Sequence, residues 1–416
     1  MKEEIDKNQV IIFSHLYKKE NRNNKKILHQ KKIFTIISKI IITFLLLSIF
    51  IFQKYKNNIS FFLLNKKKEI TESKYYESFE KMKLRYINNT LFKPYIENIK
   101  IISHIYNKNY QKLKKNKNNI NICVSINNNY VYIQLVSIES VLINSDKSNT
   151  FTTYHILCSP DVTEKTLSIL KSLVNKYPFN LEMIFYNMRN TFMKLRLNII
   201  RIPQMYRLVT PLIVDADRIM HLDGDTLTLK DLSKMNNISF NDNYILGYLD
   251  YMSRGIDYLG KYSRKYINSG VILINLKKIR QDNKIAYLFN FINKHRSLPN
   301  FDQAVINYVF YPKIGILKSE FVIFNFYDIL DIRKYIYFLR TKVNINEILK
   351  SLKSPTIIHS VLCWPKIWSI RTKYSPIFSA CRQRKNCSCK KYHDLWYFYA
   401  SKTDYYQKIK SYTGKK

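Results

Sequence analysis

Residues Arg218–Leu227 read RIMHLDGDTL, an apolar run that ends in Asp223 and Asp225 with Gly224 between them. The run is too short for a buried helix and predicts a core strand stopped by a turn. Two carboxylates at i and i+2 can hold a divalent cation, and the cation can in turn hold a diphosphate. In isolation such a pair is as readily a solvated turn, so the flanking sequence decides its meaning. Upstream, Ile122–Ile126 and Thr153–Leu157 read as strands, and Leu181–Tyr186 as a third. Between the last two, a helix is expected to open at Ser159-Pro160-Asp161, with Leu167, Leu170, Leu173 and Val174 on one face. Strands alternating with helical periods define an α/β domain, and in such domains ligands bind at the carboxyl ends of parallel strands. Asp223 and Asp225 stand at such an end.

In that setting the chain resembles glycosyltransferase family 8, whose members carry a Leu-Asp-x-Asp-Thr strand followed by a short Asp-Leu. Here these are Leu222 to Thr226 and Asp231-Leu232. The resemblance extends over about residues 120–370 through further pieces in the family's order: Asn129-Tyr130, Tyr206-Arg207, Ile267-Asn268-Ser269-Gly270-Val271, Leu273 to Leu276, Asp302-Gln303 ahead of Asn307, and His359 ahead of Lys366 and Trp368. It implies a GT-A fold, a Rossmann-like mixed sheet in a single catalytic domain, and retaining transfer of a hexose from a UDP-sugar to a glycan, lipid or protein acceptor. Glucose or galactose is the expected sugar.

By the same resemblance, Asp223, Asp225 and His359 form an O,O,N set suited to Mn2+. Tyr130 stacks on the uracil and Asn129 offers it amide hydrogen bonds. Arg207 and Lys366 neutralise the donor, with Lys366 on the departing diphosphate. Asn268 and Asp250 meet donor-sugar hydroxyls, and Asp302 and Gln303 lie under the anomeric carbon. Taken alone, His359 reads more readily as a core histidine, while a core reading of Tyr130 and a solvated reading of Lys366 stand as alternatives to these roles.

The chain departs from the family's pattern in three places. Asparagines occupy Asn127 to Asn129, where an acidic residue is usual. Ala304 stands where an acidic residue usually follows Asp302-Gln303, and no glycine separates His359 from Lys366. The departures at Asn127 and Ala304 favour an alternative, a catalytically inactive relative that binds sugar nucleotide or glycan.

The 416 residues allow one catalytic-sized domain with appendages, and 46% hydrophobic content is ample for a core. A net charge of +39 invites a polyanion reading, but the lysines are spread through the whole chain and no nucleic-acid recognition motif accompanies them. Residues 1–32 form a basic tail. Residues 33–52 are apolar but for Lys39 and are long enough to span a bilayer once. More basic residues precede this span than follow it, which predicts a type II membrane protein with a lumenal, Golgi-like catalytic domain. Residues 53–118 read as a partly helical stem, 119–370 as the GT-A domain and 371–416 as a basic, aromatic extension. Cys123, Cys158 and Cys363 read as buried thiols. Cys381, Cys387 and Cys389 match no zinc spacing and suit a disulfide outside the cytosol.

Overall fold

Side chains that alternate along each strand build two cores, one on either face of a single large sheet. The computed structural model describes residues 74–107, 114–115, 117–193, 202–250, 265–295, 301–324, 345–361 and 388–413. The expected membrane span 33–52, Lys366 and Cys363, Cys381 and Cys387 lie outside these residues. No described helix is long and apolar enough to cross a membrane.

The strands, in chain order, are β1 Lys100–Tyr106, β2 Asn118–Ile126, β3 Thr150–Cys158, β4 Leu181–Asn187, β5 Ile219–Leu222, β6 Thr226–Thr228, β7 Ile245–Leu249, β8 Ile267–Ile274, β9 Ile314–Ile316, β10 Val322–Phe324 and β11 Ile357–His359. Eight of them form one sheet in the order β1-β4-β3-β2-β5-β8-β7-β9, while β10, β11 and β6 form a small second sheet. Strands β4, β3, β2 and β5 are mutually parallel, β1 is antiparallel to β4, and β8 is antiparallel to both β5 and β7. The fold is therefore the mixed α/β sheet expected from the sequence.

On β2, Ile120, Ile122, Val124 and Ile126 enter one core and Cys123 the other; on β5, Met220 and Leu222 oppose Ile219. A strand's period of two sends neighbours to opposite faces, which is why these runs are apolar almost throughout. The chain passes from β2 outward through β3 and β4, then returns to place β5 on β2's other side. That reversal is a topological switch point, and the carboxyl ends of β2 and β5 flank the crevice where such sheets bind ligands.

The helices used below are α1 Lys74–Ile87, α2 Val131–Asn144, α3 Glu164–Lys176, α4 Leu276–Gln281, α5 Lys284–Lys294, α6 Phe301–Phe310, α7 Ile345–Lys353, α8 Ser388–Lys402 and α9 Tyr406–Tyr412. Helix α3 buries Leu167, Leu170, Leu173 and Val174 as expected, but it begins later than the sequence suggested. Ser159 N is still bonded to Ile126 O at 2.9 Å, and the cap is Thr163, whose Oγ1 accepts from Thr166 N at 3.3 Å. Helix α2 is buried nearly all round. It lies between the main sheet on one side and β6 and α8 on the other, so Ser137 and Ser140 find partners in β6. Ser137 Oγ meets Thr226 Oγ1 at 3.0 Å, and Ser140 Oγ accepts from Thr228 N at 2.9 Å.

Two segments read from sequence as appendages are parts of the fold. Residues 53–118 were expected to be a stem, yet β1 is the edge strand of the main sheet, and Phe79 of α1 is buried with its ring 5.7 Å from that of Tyr186. Within the 371–416 extension, α8 buries Trp396, and Tyr399 OH accepts from Asn144 Nδ2 at 2.8 Å. Residues Ile70–Lys416 form one compact unit. Cys123 and Cys158 are buried thiols outside any disulfide, as read from their surroundings.

Candidate active site

Strand β5 delivers Asp223 to the switch point, where Asp223 N donates to Gly270 O at 2.8 Å, continuing the pairing of Leu222 with Val271. The turn through Gly224 then feeds β6, and Thr226 Oγ1 closes it onto Asp223 O at 2.7 Å. Strand β11 pairs antiparallel with β6 so that His359 lies opposite Thr226, and Ser360 N donates to Asp225 O at 2.9 Å. A histidine far along the chain is thereby set beside the acidic turn. Its Nε2 is 3.1 Å from Asp225 Oδ1 and 4.0 Å from Asp223 Oδ2, and one ligand atom from each of the three residues lies within 4.8 Å of the others.

The backbone of β8 makes room for this cluster. A Cβ on Gly270 would come within 2.2 Å of His359 Cε1 and 2.7 Å of Asp223 Oδ2, so only glycine lets the imidazole and the carboxylate approach this closely. Two hard carboxylates and an imidazole in such a cradle fit a divalent first-row cation such as manganese.

Behind the cluster, Arg207 is 2% exposed. Its Nη2 donates to Asp223 Oδ1 at 2.9 Å, its Nη1 to Ser269 O and its Nε to Gln204 O at 2.9 Å, while Asp302 Oδ2 stands 3.7 Å from Nε. The sequence suggested a role on the donor; the structure places this guanidinium on the protein's own carboxylates. Asp302, in the first turn of α6, also accepts from Ser269 Oγ at 3.0 Å. Gln303 accepts from Ser269 N at 3.1 Å and donates to Asp250 Oδ2 at 2.8 Å, and Asn268 Nδ2 lies 3.4 Å from the same oxygen. Asp223, Asp225, His359, Arg207, Asn268, Asp250, Asp302 and Gln303 thus form one connected constellation, though they are scattered over 153 positions from Arg207 to His359.

Electrostatics distinguish the carboxylates. Burial opposes a charge on Asp223, but Arg207 and then His221 hold its carboxyl far below the usual range. Burial raises Asp302 against the opposing pull of Arg207. His221 is pushed down to about 4, chiefly by burial and then by Arg207. The site presents a firmly ionised Asp223 beside Asp225 and His359 and a less acidic Asp302 behind it.

Asn129 and Tyr130 sit at the carboxyl end of β2, and Tyr130 is 47% exposed. One turn into α2, Gln134 Oε1 lies 3.0 Å from where a Cβ on Gly224 would stand, so the start of α2 borders the acidic turn. Asn127 Oδ1 accepts from Tyr130 N at 2.9 Å, as a carboxylate at that position would. Asn128 is bound to the loop before α3 by Asp161 Oδ2, which accepts from its backbone N at 3.0 Å. From the C-terminal end, Tyr412 OH donates to Asn129 O, and the Tyr412 ring lies 5.6 Å from that of Tyr132. Ala304 is buried in α6. Sequence reasoning passed over His221, Gly270 and Tyr412. The alternation of β5 would have set His221 on the same face as Asp223, whereas nothing local marks Tyr412.

The family model for glycosyl transferase family 8 matches residues 121–368, and the chain belongs to this family of glycosyltransferases. A Haemophilus influenzae protein with a provisional glycosyltransferase assignment is 24% identical over 215 residues, covering 49% of this chain and 62% of its own length. Among solved structures, the bifunctional glycosyltransferase WbbM has a TM-score of 0.56 at 18% identity, with 71% of this chain and 52% of that chain covered. The galactosyltransferase LgtC, solved with donor and acceptor sugar analogues, has a TM-score of 0.50 at 20% identity, with 68% and 96% covered. This chain therefore spans only about half of WbbM and under two thirds of the Haemophilus protein. The structural likenesses establish a GT-A-like fold.

Proposed function

We propose that the protein is a retaining, metal-dependent glycosyltransferase that moves a hexose, glucose or galactose, from a UDP-sugar to a glycan, lipid or protein acceptor. The observation that carries this reading is the junction of Asp223, Asp225 and His359 at the sheet's switch point, beside the start of α2. A helix N-terminus and a bound dication both favour a diphosphate. LgtC, a fold relative, was solved with donor and acceptor sugar analogues, and the likeness supports the same two classes of ligand here.

Asp223, Asp225 and His359 would hold Mn2+, which when bound supplies positive charge to the diphosphate leaving group. The remaining work falls to the chain. Tyr130 offers an exposed ring to the uracil, and the contact from Tyr412 to Asn129 O fastens the loop that carries it. Asn268 and Asp250, joined at 3.4 Å, are the proposed partners of the donor-sugar hydroxyls. Asp302 and Gln303, held by Ser269 and Arg207, are the residues proposed to lie under the anomeric carbon. Because Arg207 is committed to Asp223 and Asp302, Lys366 is the cation proposed for the leaving diphosphate.

The inactive-relative alternative rests on Asn127 and Ala304. Asn127 keeps the hydrogen bond to Tyr130 N that a carboxylate would make, and Ala304 is accommodated inside α6. Turnover of UDP-glucose and UDP-galactose by the full chain, with and without Mn2+, tests the proposal. Asp225→Ala is expected to lower Mn2+-dependent donor hydrolysis by at least about 100-fold, the scale set by losing a group that stabilises transition-state charge. Unchanged turnover would refute the metal assignment. Residues 33–52 are proposed as a single membrane anchor with the catalytic unit on the lumenal side of a Golgi-type membrane. Protease protection of that unit in sealed vesicles is the expected result, and digestion would reverse the orientation.

A further inference from the structure

The two oxygens of Asp223 have different surroundings. Oδ1 accepts from Arg207 Nη2 at 2.9 Å and lies 2.9 Å from His221 Nε2. An ionised carboxylate can only accept, so that imidazole nitrogen is the donor. Oδ2 instead faces His359 Nε2 at 4.0 Å, on the side that Gly270 keeps open. His221 reaches Asp223 because residues i and i+2 of a strand share a face. Its place in β5 is across from Cys123 on β2 and Ile272 on β8, and it is 1% exposed.

This is a costly place for an imidazole. The Nδ1 atom is buried and has no hydrogen-bond partner among the described residues, and an unmatched polar atom in an apolar slot is destabilising where a hydrocarbon ring would not be. Among the described residues, the interaction that the ring supplies and a hydrocarbon could not is the Nε2–H bond to Asp223.

We infer that His221 is a positioning residue for the cation site, holding Asp223 Oδ1 so that Oδ2 alone is presented to the metal. Arg207 shares this task but is also tied to Ser269 O, Gln204 O and Asp302. His221 adds a second donor on Oδ1, and two donors from different directions fix the plane of the carboxylate where one would leave it free to turn. Hydrogen-bonded partners of a metal ligand commonly govern affinity in this way. The inference rests on the metal-dependent reading above and assigns to His221 a function that the three-residue cluster does not contain.

The test is a titration of the full chain with Mn2+, followed by loss of the free-ion electron paramagnetic resonance signal, first without UDP and then with it. His221→Phe keeps a planar ring and removes the donor. It is expected to weaken Mn2+ binding about tenfold or more, while the unfolding midpoint of the metal-free protein stays at or above that of the wild type. His221→Gln, which restores an N–H donor, is expected to recover most of the affinity. Wild-type affinity in His221→Phe, or no recovery in His221→Gln, would overturn the inference. Asp225→Ala separates the two levels of argument: Mn2+ binding that survives this change defeats the metal site itself, whereas its loss beside an unaffected His221→Phe defeats only the role of His221. Should His221→Phe not fold, infrared difference spectra of the wild type upon Mn2+ addition decide. The carboxylate bands absent from Asp223→Asn should show the wide splitting of single-oxygen coordination, and the narrow splitting of two-oxygen chelation would refute the assignment.

Discussion

Gly270→Ala is the most direct trial of the site, because the three atoms nearest the added one all belong to the proposed ligands. The new Cβ would stand 2.2 Å from His359 Cε1, 2.8 Å from His359 Nε2 and 2.7 Å from Asp223 Oδ2. To reach ordinary contact, the imidazole must retreat by about 1.2 Å, several times the roughly 0.2 Å tolerance of a metal-ligand distance. His359 is 3% exposed and packs its ring 5.8 Å from that of Phe324, so it has little space to retreat into. Overpacking of this kind costs about 1–3 kcal/mol of stability. The loss of a properly placed imidazole is expected to weaken Mn2+ binding on the order of 100-fold, near the upper end seen when metal-site geometry is disturbed. Calorimetric Mn2+ titration of the wild type and the variant, beside thermal unfolding in the absence of metal, separates the two effects. Gly224→Ala is the control, since its tightest contact would be the flexible end of Gln134 at 3.0 Å, with the Gln134 backbone N at an ordinary 3.7 Å. It should retain Mn2+ binding. If Gly270→Ala binds Mn2+ as the wild type does, His359 is not a ligand and the cluster is an ordinary ion pair.

Two further outcomes follow from the same structure. Tyr412→Ala removes both the donor to Asn129 O and the ring beside Tyr132; UDP affinity measured by calorimetry should fall several-fold, in line with about 1 kcal/mol for a lost hydrogen bond, while Mn2+ affinity stays unchanged. Equal UDP affinity would show that the C-terminal helix does not support the base loop. The second outcome concerns acid stability, through the buried network under β1 in which Glu182 accepts from Lys114 at 2.8 Å and from Thr153 at 2.8 Å and meets His104 at 2.7 Å. Burial opposes the charge on Glu182, but His104 and Lys114 hold it down to about 2, and burial followed by Lys114 brings His155 down to about 3. Both folded values lie below the unfolded ones, so the stabilisation is complete above the unfolded values. It is lost as pH falls, from about 6.5 to 3 for His155 and from about 4.5 to 2 for Glu182. Glu182 alone accounts for about 3 kcal/mol over its window. Urea unfolding of Glu182→Gln against the wild type should show the variant's flatter acid limb, and parallel limbs would contradict the network's role.

Much of this molecule is legible in local pattern. Val124, Leu157 and Leu222 mark strands because apolar β-formers cluster between turn residues, and Leu167, Leu170 and Leu173 mark a helix because they recur at its period. The acidic turn stands out because two carboxylates directly follow an apolar strand. The start of α3 was misplaced because Ser159-Pro160-Asp161 carries every local sign of a cap, while Ser159 is still held by the sheet through Ile126 O. Residues 100–106 showed no sign of belonging to the domain, since an edge strand is recognised by the partner it finds, here β4.

The sequence by itself determined the alternating strands and helices, the acidic turn at the end of β5 and the membership of an ordered series of motifs in one family. Tertiary structure alone decided that β11 pairs with β6 and so brings His359 to Asp225, that Arg207 is bound to Asp223 and Asp302 within the protein, and that a C-terminal tyrosine touches the loop after β2. The division has a physical cause. Periodicity and turn chemistry act over a few residues and are written locally, whereas the meeting of distant side chains depends on strand pairing and on the burial of two continuous cores, which no short stretch of chain contains.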